Sequence, residues 1–220
     1  MQRKLVFLLL VLMTGFVVSA AAQQQSFNRY DLFVGYSHLS SPAVSLEQNG
    51  VNGSFGVNVN RWLALGADFS IFTGPGTIEL ADTKVAGLLA PHLPAGANPK
   101  VPFDAKTYTF AAGPQINIRR FEKVTFFVRP GLGILYEKAE PTISPALAPL
   151  APLVPGLSAN MTDTVPFYGF GGGFDWNMSE HVGMRFSVDF VHTTLFKDLL
   201  SGRNAVRISF SPTWRWGKAQ

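Results

Sequence analysis

From about residue 28 onward, apolar and polar positions alternate along the chain. The pattern is clearest in FGGGFDWNMSEHVGMRFSVDF at 170–190. There Val182, Met184, Phe186, Val188 and Phe190 share one parity, and Gly183, Arg185, Ser187 and Asp189 share the other. Period two marks a strand whose two faces meet different surroundings. Read along the whole chain, it predicts eight strands, at about 28–38, 50–58, 62–72, 106–118, 124–137, 165–177, 182–192 and 204–216. The predicted connections alternate in length. Those around 60–61, 119–123 and 179–181 are short, and those around 39–49, 73–105, 138–164 and 193–203 are long. This predicts an all-β fold, an eight-stranded antiparallel up-and-down transmembrane β-barrel with its short turns in the periplasm. An even strand count puts both termini on the periplasmic side.

The direction of each face follows from size. Tyr168, Phe170, Phe174 and Trp176 oppose Gly169, Gly171, Gly173 and Asp175; Val206, Ile208, Phe210, Pro212, Trp214 and Trp216 oppose Arg207, Ser209, Ser211, Thr213 and Arg215. An eight-strand interior is only wide enough to be filled by modest side chains, so the aromatic faces do not fit inside it. Turned outward they meet lipid, and the interior receives Gly, Ser, Thr and charge. A soluble barrel or β-sandwich, the competing architecture, runs against that packing limit. Lipid also requires closure, because an open sheet edge leaves backbone groups unsatisfied in hydrocarbon. With the first strand running outward, Tyr36, Tyr108, Tyr136 and Tyr168 fall near the outer rim, and Tyr30, Trp62, Trp176, Trp214 and Trp216 near the inner one. Such belts of amphipathic rings are expected at the two membrane interfaces. Trp62 is the weakest member, since its parity points it inward.

Composition agrees with few solvated faces. Charged residues make up 15%, against roughly 25% in a typical soluble domain. There is no cysteine, which removes disulfides and thiolate metal sites. A net charge of +4 without a basic stripe gives no reason to expect nucleic-acid binding. The opening MQRKLVFLLLVLMTGFVVSAAAQQQ has a basic start, an apolar run and a cluster of small residues. It predicts a signal peptide over 1–22, cut after Ala20 or Ala22, and a barrel domain over 23–220. A transmembrane anchor is the other reading of that run, but no stop-transfer charges follow it.

The runs NRWLALGADFS at 60–70, RPGLGILYE at 129–137, GFGGGFDWNMS at 169–179 and VGMRFSVDF at 182–190 give the chain its likeness to known proteins. It resembles the small outer-membrane β-barrel domain family, the OmpA-like and opacity-type barrels. The resemblance implies residence in the outer membrane of a Gram-negative cell envelope, with lipid and lipopolysaccharide as surroundings and the barrel-assembly machinery as a partner during insertion. Family members commonly end in an aromatic residue. Here Trp214 and Trp216 are followed by GKAQ, so that signal is displaced. Only four residues follow Trp216, so a peptidoglycan-binding domain after the barrel is not expected.

Parity sends Asp31, Asp68, Glu137, Asp175 and Asp189 inward with Arg129, Arg185, Arg207 and Arg215. Charges in so narrow a space are expected to pair, with Gln115 and Asn117 as further partners. The network is expected to fill and seal the barrel, and a narrow gated ion or solute path is the alternative. A lipid A-modifying enzyme is a third possibility, because His38 and Ser40 lie at the outer end of strand one, and His192 and Thr194 at that of strand seven. The His-x-Ser-Asn run of the deacylase family is missing, and no third group is placed to orient a base. No enzyme activity, cofactor or metal is expected: His38, His92, His181 and His192 have no ligand spacing. The loops at 76–103 and 142–159 are rich in Ala, Pro and Leu. Two roles are open to them: adhesion to an extracellular protein or surface, or folding back over the barrel mouth.

Overall fold

The computed structural model describes residues 27–92, 99–145, 147–149, 154, 160–200 and 202–218; the predicted leader lies outside them. Eight strands follow in order: β1 Asn28–Ser41, β2 Leu46–Asn58, β3 Leu63–Glu79, β4 Lys100–Ile118, β5 Val124–Pro141, β6 Met161–Asn177, β7 Val182–Thr193 and β8 Arg203–Lys218. Each pairs antiparallel with its neighbours, and β8 pairs with β1 to close the barrel. Asn28 faces Lys218 across that closing seam, so both ends of the barrel wall lie at the same rim as the short turns. No sheet edge is left open.

The exterior is apolar through the middle of the wall. Leu132 is 71% exposed and Phe170 59%, and Phe69, Phe110, Phe190 and Phe210 also point outward. A belt of this size is not tolerated in water, and hydrocarbon accommodates it. Glycine serves the opposite face. Gly171 points inward, where a Cβ would collide with the Asp189 carboxylate, so the missing side chain makes room for a buried charge.

The strands run further than the alternation predicts, mostly at the outer end, although β8 also gains two residues at the inner one. The expected loop at 39–49 is reduced to a tight connection between Ser41 and Leu46. β3 continues to Glu79, β4 starts at Lys100, β5 continues to Pro141 and β6 starts at Met161. The reason is a reversal of polarity. Beyond the outer tyrosines, the outward positions become Glu47, Thr73, Asp104, Lys106, Lys138 and Glu140, while Leu46, Ile78, Val101, Phe103, Ala139 and Met161 turn inward and are buried. Period two is kept, but the faces exchange roles, as in a barrel wall standing in water.

Candidate functional site: the barrel interior and its outer mouth

From the short-turn rim outward, the interior is filled in layers. At the inner rim Asn58 donates to the Asn28 carbonyl at 2.9 Å and to the Asp31 carboxylate at 2.8 Å. Arg119 donates to the Asn58 side-chain oxygen at 2.6 Å and to the Arg61 carbonyl at 2.8 Å. Above this, Arg185 grips Asp175 with two parallel bonds of 2.5 and 2.7 Å. Arg215 approaches the same carboxylate at 3.0 Å, and Gln115 accepts from Arg185 at 3.4 Å. The Arg185 guanidinium lies 4.4 Å from the ring centres of both Phe33 and Phe127. A cation between two ring faces is favoured most where water is excluded.

The next layer joins two arginines to two aspartates. Arg129 forks onto Asp189 at 2.9 and 2.8 Å. Arg207 bridges Asp68 at 2.6 Å and Asp189 at 3.0 Å, and Asn52 donates to Asp68 at 2.7 Å. A cavity of about 60 Å³ adjoins this layer, bordered by Gly66, Ala111, Gly113 and Gly131 as well as the charges. It has room for a few waters. Further out, Arg203 forks onto Glu137 at 2.8 and 2.5 Å, and the Thr107 hydroxyl lies 2.8 Å from the same carboxylate. Both partners are essentially inaccessible to solvent. Bidentate arginine pairs of this kind fix geometry as well as charge.

The mouth above Glu137 is closed by apolar side chains. Val44, Leu46, Ile78, Leu80, Val85, Val101, Phe103, Val154, Met161, Leu199 and Leu200 form one buried cluster, with Ile143, Leu147 and Phe196 packed against it. Two outer connections interlock here: Lys84 donates its backbone N–H to the Leu199 carbonyl at 3.0 Å. Phe196 adopts a left-handed backbone conformation, and its N–H is held by Asp163 at 2.7 Å.

Eight of the nine interior charges named from parity contact one another in neighbouring groups, and the ninth, Glu137, pairs instead with Arg203. Three partners escape the alternation. Arg203 falls one residue before the predicted eighth strand, Asp163 falls before the predicted sixth, and Arg119 lies in a turn. The interior is also less uniformly polar than expected: Phe33, Phe72, Phe127 and Phe167 are buried inside it. Among the rim aromatics, Tyr36, Tyr108, Tyr136 and Tyr168 are exposed at one end, and Trp176, Trp214 and Trp216 at the other. Tyr30 is half-buried against Phe55 and Trp216. Trp62 departs from its inward parity: it lies in the bend between β2 and β3 and is 56% exposed, because the strand starts one residue later.

His38 and Ser40 do not form a base and nucleophile. The His38 ring contacts Glu47 at 2.8 Å and Asn49 at 2.9 Å, and the Ser40 hydroxyl donates to Glu47 at 2.6 Å. His192 is engaged with Asn204 at 2.7 Å, and its ring lies tilted against that of Tyr168 with centres 5.0 Å apart. Among the described residues no group of three or more His, Asp or Glu side chains is placed to hold a metal ion.

The family model "Outer membrane protein beta-barrel domain" matches residues 8–211. The chain belongs to this family. The chain is an outer-membrane β-barrel protein of the Gram-negative envelope. Three solved barrels show the same fold at low identity. Neisserial surface protein A is 12% identical with a TM-score of 0.57, covering 88% of this chain and 100% of its own. The attachment invasion locus protein Ail of Yersinia pestis, solved with the heparin analogue sucrose octasulfate, is 13% identical with a TM-score of 0.52, covering 86% and 99%. OprG of Pseudomonas aeruginosa is 10% identical with a TM-score of 0.52, covering 87% and 98%. No curated protein matches the chain.

Proposed function

We propose that this family member is an axially sealed surface scaffold: a barrel that holds its outer connections at the cell surface for contact with a protein or surface partner and conducts no solute. The stacking of charge layers beneath an apolar mouth carries this reading. A solute moving along the axis would have to part the Arg207 bridge between Asp68 and Asp189, the Arg203–Glu137 fork and then the cluster around Phe103. Breaking buried, hydrogen-bonded ion pairs costs several kcal/mol each, on the order of 3–5. Residues 1–22 serve as the export signal, both ends of the mature chain face the periplasm, and the tyrosine and tryptophan rims mark the two lipid interfaces. The barrel-assembly machinery inserts the chain, and lipopolysaccharide surrounds its outer rim.

The test is planar-bilayer recording of the refolded mature chain beside a variant carrying Arg129→Ala and Arg185→Ala. A silent wild type is expected. Small steady current steps in the wild type that the double variant alters would instead establish the second reading, a narrow gated path. The cavity beside Arg129 is the feature that favours it.

A further inference from the structure

The registers align residues of five adjacent strands into cross-strand rows on the outer face. One row runs Asn49, Thr73, Lys106, Lys138 and Thr162, each paired directly with the next. Immediately below it, Tyr108 and Tyr136 are paired, with ring centres 5.9 Å apart. Two residues along a strand is about 7 Å, so the lysine row stands about one headgroup phosphate above the aromatic edge of the hydrocarbon. Like charges placed directly opposite one another across two strands destabilise the pair. Lys106 and Lys138 stand directly opposite each other, and their other neighbours in the row, Thr73 and Thr162, are neutral. The carboxylate that answers them comes from the row above: Glu140 binds Lys138 at 2.5 Å and lies within electrostatic reach of Lys106. Glu140 is itself paired across the strands with Asp104, so it is drawn toward the lysines and away from a like charge.

We infer that Lys106 and Lys138 form a binding site for a phosphate carried by an outer-leaflet saccharolipid. The two ammonium groups supply charge-assisted donors, Thr73 and Thr162 flank them with hydroxyls, and the Tyr108–Tyr136 shelf meets the sugar and upper acyl region. Glu140 occupies Lys138 when no phosphate is bound and is displaced by it. This rests on the outer-membrane placement of the barrel and adds to it a lipid class and an address.

The experiment uses barrels refolded into phosphatidylcholine nanodiscs that carry either bis-phosphorylated lipid A or its dephosphorylated form, with co-purifying lipid measured after detergent extraction. Wild type is expected to retain the phosphorylated form about tenfold better. Lys106→Gln with Lys138→Gln abolishes that preference, Glu140→Gln increases it, and Lys100→Gln, at the outermost end of β4 and bound to Glu79, leaves it unchanged. Heat-modifiable gel mobility confirms that each variant is folded. The inference is overturned by equal retention of both lipids, by a double variant that behaves as wild type, or by Glu140→Gln losing the preference as an ordinary ion-pair partner would. It is also overturned by a matching loss in Lys100→Gln, which would show a general charge effect, or by displacement with an equal concentration of inorganic phosphate. Failure of the wild type to enter any bilayer overturns the membrane placement itself, an outcome distinct from insertion without preference.

Discussion

Arg185 is bound along its edge by Asp175 and covered on both faces by Phe33 and Phe127. Removing it leaves the buried Asp175 with only the more distant Arg215. Arg185→Ala is therefore expected to cost about 3–5 kcal/mol, measured as a lowered urea midpoint for the barrel in lipid vesicles. Arg185→Lys should recover only part of the loss, because an ammonium reproduces neither the fork nor the stacking. Gly171→Ala forces a methyl group against Asp189 and is expected to cost about 1–3 kcal/mol in the same measurement. Asp175 and Arg185 were legible in the sequence because a charge on the inward parity of a greasy strand has few other places to go. Phe33 and Phe127 share that parity too, but an aromatic in such a chain reads as lipid-facing by composition. Only the position of a guanidinium between them reveals their role. Arg203 and Arg119 were missed for another reason: they sit at strand ends, where period two has too few residues to register.

At the scale of the strand, β4 carries two chemistries in one alternating pattern. From Tyr108 to Ile118 its outward residues are mainly apolar, and from Lys100 to Lys106 its inward ones are. A reading that looks for the apolar face and assigns it to lipid stops where the faces exchange, which is why the predicted strand began near 106. The outer extension behaves as a small water-exposed barrel built on a membrane one, and Phe103 is central to its core. Phe103→Ala is expected to cost about 3–5 kcal/mol within this extension. The outer connections should become sensitive to added protease on intact cells, while the membrane-embedded strands keep their gel mobility. Loss of the whole barrel from the membrane in that variant would show that the extension and the spanning wall fold as one unit.

For the whole molecule, surroundings change with height along the same wall, and so should the tolerance for charge. Leu132→Arg, pointing outward in the middle of the lipid belt, is expected to cost about 2–4 kcal/mol. Thr162→Arg, above the tyrosine rim, should cost about 0–1. Equilibrium folding into vesicles of one lipid measures both. The closed eight-strand topology was legible in full, because alternation and the uneven connection lengths are repeated many times along the chain. The apolar mouth was legible only as one of two uses for loops rich in Ala, Pro and Leu.

On the orientation proposed above, with both ends in the periplasm, those loops lead insertion and must traverse the hydrocarbon before any strand can settle into it. Charged side chains make that crossing expensive. The stretch 142–159 has no charged residue, and 80–99 has only Asp82 and Lys84. Their composition lowers the cost of transit, and on the far side the same greasy residues, Leu80, Val85, Leu147 and Val154 among them, withdraw from water into the mouth. What eases the passage of the tips through the bilayer afterwards keeps them from slipping back out of position.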